Sequence, residues 1–490
     1  MAIKRYVANA DNTITNAFEA NLTMRGTGSN MGAADSLEVF SIYGQVSSSS
    51  GQSSELSRIL INFPVQDIVA DRAAGNIPGV GNVSFYLKMY NAEHPFTLAR
   101  DFTLAISPIS QSWQEGSGLD MEEYKDLTYG GTGSNWMRRG STGPWANTGG
   151  NYLVNPSYTS HFREGWEDLT VDISTVVEDW VAGTYTSGNN GVGIRLIPGE
   201  EAAPRSYYTK KFFARSSEFF FKRPVVEARW DSRIQDNRCD FYYSSSLAPA
   251  ADNLNTLYYY NYIRGRLVDI PNAGAGLIVR MYSSSAGLPT GPMLRLYSPI
   301  DGIGYITTAG RVSTGIYSAS LAMTAAATPL TALHDVWEVG SGIGEVLTGS
   351  VYPELVPTYD SAPTFNYITA LTNLRANYSR EETARFRFFI RQRNWDPNMY
   401  VVATNTIPNE CIASASYKVV RLTDELNVIP YGTGSDLSTY MSYDVDGNYF
   451  DLDISLLEAQ YMYGIKASYY NDSIGAWVEQ PEIFKFRVEE

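Results

Sequence analysis

The sequence predicts an all-β protein of several domains, and three observations carry that prediction. Its 35 tyrosines recur with Val, Ile, Thr and Phe in short alternating runs broken by Gly, Asn, Ser and Pro, the pattern of many short, half-buried strands. A chain of 490 residues exceeds the size at which single cores stop growing, roughly 250–300 residues. Hydrophobic residues make up 44%, yet no apolar run approaches the roughly 20 residues that a bilayer span requires, so the expectation is soluble domains with real cores and no membrane partner.

The first strands follow from alternation. Residues 57–63, Ser-Arg-Ile-Leu-Ile-Asn-Phe, and 83–90, Val-Ser-Phe-Tyr-Leu-Lys-Met-Tyr, read as half-buried strands. Between them, residues 65–74 carry Ile68 and Val69 ahead of Gly75 and Pro78, a short helical or turn-like link. A second helix is predicted over residues 174–182, where Val176, Val177, Trp180 and Val181 fall at helical spacing and Gly183 can close the end. Residues 192–196 resume as a strand.

Taken in order, several short motifs resemble a known domain. They are Asp11-Asn12-Thr13-Ile14-Thr15 near the start, the strand at 57–63, the turn Trp113-Gln114-Glu115-Gly116, and Trp180 before Asn190-Gly191-Val192-Gly193. Ala214-Arg215-Ser216-Ser217-Glu218 then closes ahead of Arg223-Pro224-Val225-Val226. This order is similar to the DNRLRE-type, carbohydrate-binding-module-like jelly roll also found beside disaggregatases. The resemblance implies one jelly-roll sandwich over residues 1–232, with 10–15 and FFARSSEFFFKRP (212–224) as its first and last strands, and a face able to bind a surface glycan. Ser216-Ser217-Glu218 departs from the closing signature, and residues 125–155 form a long Gly-rich insertion, the expected place for a new contact.

A boundary is expected after Trp230, because residues 232–240 are polar and charged. A second β-sandwich over 233–352 is predicted from strand-like stretches at 254–270, 276–282, 310–323 and 337–349. Pro353, Pro357 and Pro363 then break regular structure. A third, Ig-like or fibronectin-like sandwich over 353–490 is predicted from 385–390, 416–420, 461–470 and 483–488. Gly-Thr-Gly-Ser occurs at Gly26, Gly131 and Gly432, followed by Asn30, Asn135 and Asp436; no Gly-Lys-Ser/Thr follows, so these read as turns rather than phosphate loops.

Charge narrows the partners. The net charge of −15 is spread, 19 − 25 = −6 before Ser232 and 18 − 27 = −9 after it, so no basic stripe is ready for phosphates and a nucleic-acid partner is not expected. Cys239 and Cys411 are the only cysteines; assigned to different domains, they are expected as reduced, packing thiols. The N-terminus moves straight from Lys4 and Arg5 into polar residues without the apolar core of a secretion signal, so synthesis in a cytosol is expected.

Catalytic vocabulary is sparse. His94, His161 and His334 fit neither HExxH nor a cysteine-paired zinc site, and no G-x-S-x-G elbow is present. Glu122 with Glu123 and Glu200 with Glu201 could in principle serve a glycosidase, which needs two carboxyls roughly 5–9.5 Å apart across a cleft, but adjacent acids in loops read more simply as solvated charges. No catalytic residue is assigned. Asp444-Val445-Asp446-Gly447-Asn448, continuing to Asp451 and Asp453, is a candidate Ca²⁺ loop through Asp444, Asp446, Asn448 and Asp451. The competing reading is a metal-free hairpin. Trp113, Trp136, Trp145 and Trp166 cluster around the insertion, and Trp136 and Trp145 are the candidate glycan-stacking residues; loop or core packing is the alternative.

The C-terminal half, with 444–453 and the ending Lys485-Phe486-Arg487-Val488-Glu489-Glu490, resembles structural proteins of tailed phages in general character. That resemblance implies a non-enzymatic virion component at a neck, tail or head surface, assembled in the host cytoplasm. Its partners would be other virion proteins and further copies of itself. The alternative expectation is a glycan-binding adhesin, a receptor-binding fibre module or an accessory domain of a polysaccharide enzyme.

Overall fold

The structure is a computed structural model that describes residues 2–48, 51–93, 98–119, 123–125, 132–186, 188–271, 273, 276–283, 289–340, 344–358, 361, 364–395, 409–432 and 434–490. His94, Glu122, Gly131 and Pro363 lie outside the described residues. Strands dominate and helices are short, so the all-β class is observed. The backbone separates into two compact units, Ala2–Asp231 and Ser232–Glu490.

In the first unit the strands are β1 (Ile3–Val7), β2 (Ala10–Thr15), β3 (Ser36–Ser48), β4 (Gly51–Asn62), β5 (Ser84–Met89), β6 (Phe102–Pro108), β7 (Tyr158–Phe162), β8 (Leu169–Asp172), β9 (Val192–Leu196), β10 (Tyr207–Phe213) and β11 (Val225–Arg229). One antiparallel sheet runs β1-β11-β5-β8; the other runs β10-β3-β4-β9-β6-β7, with β2 also on β4. Between them lie Phe85, Leu87 and Val226 from the first sheet and Ile59, Ile61, Leu104, Ile194 and Phe212 from the second. Strand β5 alternates strictly between half-buried and buried positions, as its sequence predicts.

The link read as helical or turn-like is a helix, and the helix predicted over 174–182 also forms. α1 covers Val65–Ala73 and α2 covers Ser174–Ala182, and Gly183 ends α2 in the left-handed region at φ 68°. Ile68, Val176, Val177 and Trp180 close the same core, and Arg72 donates to both Glu178 oxygens at 2.6 and 2.7 Å to tie the helices together.

Two expectations fail in instructive ways. FFARSSEFFFKRP is not a closing strand: β10 stops at Phe213, a short 3-10 turn covers Phe220–Lys222, and Val225–Arg229 is the closing strand, paired to β1. Arg215 is the reason, because its backbone and side chain are engaged with Asp11 and Glu115 rather than with a ladder. Within 57–63, Leu60 is buried although it points away from the main core. The insertion covers that face, so Leu60 packs with Ile14, Ile109, Trp136 and Trp145 in a second hydrophobic layer.

In the second unit, one antiparallel six-stranded sheet runs Asn255–Tyr260, Ile316–Leu321, Thr307–Ser313, Leu277–Ser283, Leu333–Val339, Glu345–Val351. The stretch 310–323, expected as one strand, is a hairpin turning at Thr314 and Gly315. Its core holds Trp337, Tyr317, Leu257, Val279, Phe241 and Leu296. A two-stranded ribbon, Leu296–Ser298 with Gly302–Gly304, and a parallel pair, Tyr242–Tyr243 with Glu354–Leu355, accompany the sheet in place of a second large one.

The strands from Tyr367 onward form a sandwich. One sheet is Tyr367–Leu371, Thr383–Gln392, Gly447–Asp453, Ser442–Asp444; the other is Asn377–Ser379, Phe484–Glu489, Met462–Asn471, Ala415–Arg421, Leu426–Ile429, with Ala476–Glu479 on Met462–Asn471. The core is aromatic. Phe386 lies 5.3 Å from Phe450 and 5.6 Å from Phe486, and Tyr417 stacks on Phe450 at 3.6 Å, arrangements worth about 0.5–1.5 kcal/mol per pair beyond area burial.

Candidate functional site

In the first unit, motif residues far apart in sequence meet in a polar cluster in which Asp11, Asn30, Ser134 and Asn135 are buried and Arg215 and Glu115 half-buried. Arg215 donates through Nε and Nη2 to Glu115 at 2.5 and 2.6 Å, and its backbone N–H donates to Asp11. The backbone N–H of Asp11 donates to the same Glu115 at 2.8 Å. Two of the Gly-Thr-Gly-Ser-Asn segments interlock here, since Asn30 Nδ2 donates to the carbonyl of Ser134 and Asn135 Nδ2 to that of Gly28. Gly116, at φ 86°, is required, because a Cβ would fall 2.4 Å from Asn30 Oδ1. Burial pushes the Asp11 carboxyl up to about 7, with the Arg215 N–H opposing and the Glu115 charge reinforcing the shift.

Trp136 and Trp145 are 7% and 4% exposed, so neither offers a face to a sugar. Trp145 donates to the carbonyl of Asn135 at 2.8 Å, and the Arg58 guanidinium lies 5.0 Å from the Trp136 ring. Trp113 donates to the Asn190 carbonyl. Of the four tryptophans only Trp166 is strongly exposed. Its loop is anchored by buried Lys210, whose Nζ donates to Asn91 Oδ1 at 2.6 Å and to the carbonyls of Gly165 and Glu167 at 2.9 and 2.7 Å.

The candidate calcium loop is a hairpin. Asp444 pairs with Gly447 across a two-residue turn. Asp444 accepts both Nη groups of Arg387 at 2.5 and 2.9 Å, Asp451 accepts Arg385 at 2.8 and 3.0 Å, exposed Asp446 lies 3.9 Å from Arg387, and Asn448 is occupied on both side-chain atoms by the backbone of Ile412. The oxygens thus serve arginines and backbone instead of converging on a cation, and no group of three acidic, His or Cys side chains able to hold a metal occurs among the described residues. Glu201 holds Arg58 through two hydrogen bonds, Glu200 accepts the Thr103 N–H, His161 lies near Asp101 at the surface, and His334 is buried beside Ser350.

The expectation of reduced, separated thiols is overturned: Cys239 and Cys411 form a disulfide across a sequence separation of 172, with Cα atoms 6.3 Å apart, inside the usual 4.4–6.8 Å window. The cause is local and was hidden in the polar stretch after Trp230. That stretch pairs alongside Ser442–Asp444: Tyr443 N–H donates to the Ile234 carbonyl, and Asp236 N–H donates to the Tyr443 carbonyl. Residues before the six-stranded sheet therefore extend the edge of the C-terminal one. Around the disulfide, Arg238 bridges Asp236 and buried Asp335, whose carboxylate also accepts the Trp337 indole at 2.7 Å. Burial raises Asp236 to about 6 against the pull of Arg238, and raises Asp240 to about 6 against hydrogen bonds from Asn237 and Tyr443.

A feature missed by sequence reasoning is a cleft where the two sheets of the C-terminal sandwich part. It encloses about 220 Å³. Phe365, Tyr367, Tyr469 and Tyr470 form aromatic walls; Asn366, Arg393, Asp472, Glu479 and Gln480 bring polar groups. Tyr367 stands edge-on to Tyr469 at 5.6 Å, and Tyr469 is fixed by a 2.9 Å hydrogen bond with Thr369. Tyr470 continues outward to Trp477 at 5.7 Å, which meets Tyr440 at 5.2 Å. Glu479 is committed to Lys418 and Lys466 at 2.6 and 2.7 Å, which outweigh its burial and hold its carboxyl below the usual range.

No protein-family model matches the chain, and no curated protein matches it. Among solved structures, a chimeric titin Z1Z2-Z1Z2 tandem matches at 13% identity over 48% of this chain and 91% of its own, with a TM-score of 0.16. The native conformation of E. coli alpha-2-macroglobulin matches at 9% identity over 98% of this chain and 26% of its own, with a TM-score of 0.15.

Proposed function

We propose that this chain is a non-enzymatic structural component of a tailed-phage virion, at a neck, tail or head surface, acting through assembly with other virion proteins and further copies of itself. The observation that carries this reading is the lock in the second unit. There a disulfide, an added edge strand and a buried Asp236–Arg238–Asp335 cluster hold two sheet systems together, which suits a part that must keep its shape outside a cell. Tandem β-modules with Arg-paired hairpins serve as spacers and docking faces, and repeated copies turn weak contacts into strong attachment. No helix among the described residues is long and apolar enough to cross a membrane, and the spread net charge of −15 disfavours a nucleic-acid partner.

The test is co-sedimentation. Particles from the lysate of the producing host are banded on a density gradient and probed for this chain. Recovery at constant stoichiometry with intact particles supports the role; confinement to the soluble fraction refutes it. A glycan-binding role is the second reading, and the C-terminal cleft, not Trp136 or Trp145, is what favours it.

A further inference from the structure

The geometry points to the C-terminal cleft as a binding site for one hydroxyl-rich sugar ring of a surface polysaccharide. Its volume of about 220 Å³ lies below the roughly 300–1,000 Å³ of drug-sized pockets and admits one ring, with the rest of a chain left outside. The composition is that of a saccharide site. Phe365, Tyr367 and Tyr470 supply apolar faces against which the C–H face of a pyranose can lie, with buried Tyr469 as the floor behind them, since an aromatic face is electron-rich and those hydrogens are weakly positive.

Three side chains on the lining carry the polar half of the argument. Arg393, Asn366 and Asp472 come from three separate segments of the chain, and no side-chain hydrogen bond or ion pair occupies any of them among the described residues. Most arginines of this sandwich are otherwise committed: Arg385 to Asp451, Arg387 to Asp444, Arg375 to Glu382 and Arg421 to Asp424. Arg393 and Asn366 offer donors and Asp472 offers acceptors, the complement that adjacent sugar hydroxyls need, because each hydroxyl both donates and accepts. Glu479, neutralised by Lys418 and Lys466, is a fixed wall rather than a free charge. The outward run Tyr470, Trp477 and Tyr440, with Trp477 39% exposed, continues the aromatic surface beyond the mouth, where a neighbouring sugar of the same polymer would pass. This site stands independently of the virion role.

The experiment is saturation-transfer NMR on the full chain with the methyl glycosides of glucose, galactose and mannose at millimolar concentration, with glycerol as a polyol control. Expected is transfer to the ring protons of at least one glycoside. Affinity should fall about tenfold or more in Arg393→Ala, the loss of one charged hydrogen bond, and in Tyr470→Ala. Both positions are exposed, and unchanged thermal unfolding confirms that the fold is retained. Transfer to none of the glycosides overturns the proposal. So does equal transfer to glycerol, or binding that survives in both variants.

Discussion

Arg238 donates one guanidinium nitrogen to Asp236 and another to Asp335, and Asp335 is fully buried while also accepting the indole N–H of Trp337. Among the described residues, Arg238 is the cation paired with this carboxylate inside the second unit. Breaking a buried pair by removing one partner costs about 3–5 kcal/mol. Arg238→Ala is therefore expected to lower the denaturation free energy of the second unit by that order, read from urea unfolding. A loss below about 1 kcal/mol would show that the pair is solvated in solution.

The Cys239–Cys411 bond closes a loop with a sequence separation of 172. Chain-entropy reasoning gives on the order of 5 kcal/mol for a loop that long, with measured values often smaller. Cys239→Ser, Cys411→Ser and the reduced wild type should all unfold at similarly lower denaturant concentrations, and the non-reduced protein should lack thiols reactive to Ellman's reagent. Two free thiols in the native oxidised protein would contradict the structure.

Acid should stabilise part of this molecule. Asp11 is raised to about 7, and Asp236 and Asp240 to about 6, against an ordinary 3.8. Folded molecules therefore hold more protons than unfolded ones between roughly pH 4 and pH 6–7, and over that window stability falls as pH rises. For Asp11 the shift is worth on the order of 4 kcal/mol at about 1.4 kcal/mol per unit. Asp11→Asn should flatten the slope in a pH series of thermal unfolding of the first unit; an unchanged slope would place the proton elsewhere.

Lys210 is 2% exposed and holds Asn91, Gly165 and Glu167. Lys210→Met keeps the apolar stem and removes the donors, so amide exchange at residues 163–168, including exposed Trp166, should accelerate about tenfold or more. Exchange unchanged there would mean that the loop holds itself.

Millimolar Ca²⁺ or EDTA should leave the unfolding temperature unchanged, because Asp444 and Asp451 are neutralised by Arg387 and Arg385. Trp136→Ala and Trp145→Ala should instead destabilise the first unit by about 3–5 kcal/mol as core truncations. A Ca²⁺-dependent rise in unfolding temperature would restore the metal reading of the loop.

Much of the strand pattern was legible because alternation is local. Ser84–Met89 and Thr383–Gln392 fall where their side chains alternate, and α2 ends at the glycine that its spacing predicts. What escaped was set by distant partners. Trp136 and Trp145 look like surface stacking residues in a Gly-rich insertion until Leu60 supplies the face that they cover. Cys239 looks remote from Cys411 until the polar linker is seen to pair beside Tyr443. The cleft gathers Phe365, Arg393, Tyr469 and Asp472 from three separate segments of the chain, with no spacing for a motif to expose.

Cys239 and Cys411 also determine how tension would pass along this chain. A pull applied between the first unit and the C-terminus enters the second unit at Ser232 and reaches Cys239 within a few residues. The covalent path then crosses directly to Cys411. The whole six-stranded sheet lies between the two cysteines and off that path, so it stays folded under a force that would strip it from the reduced protein. The strands after Cys411 and the short segment before Cys239 are in line, braced by Asn377–Ser379 and Thr383–Gln392, which pair with them from inside the loop, and oxidation sets the extensible length of the part.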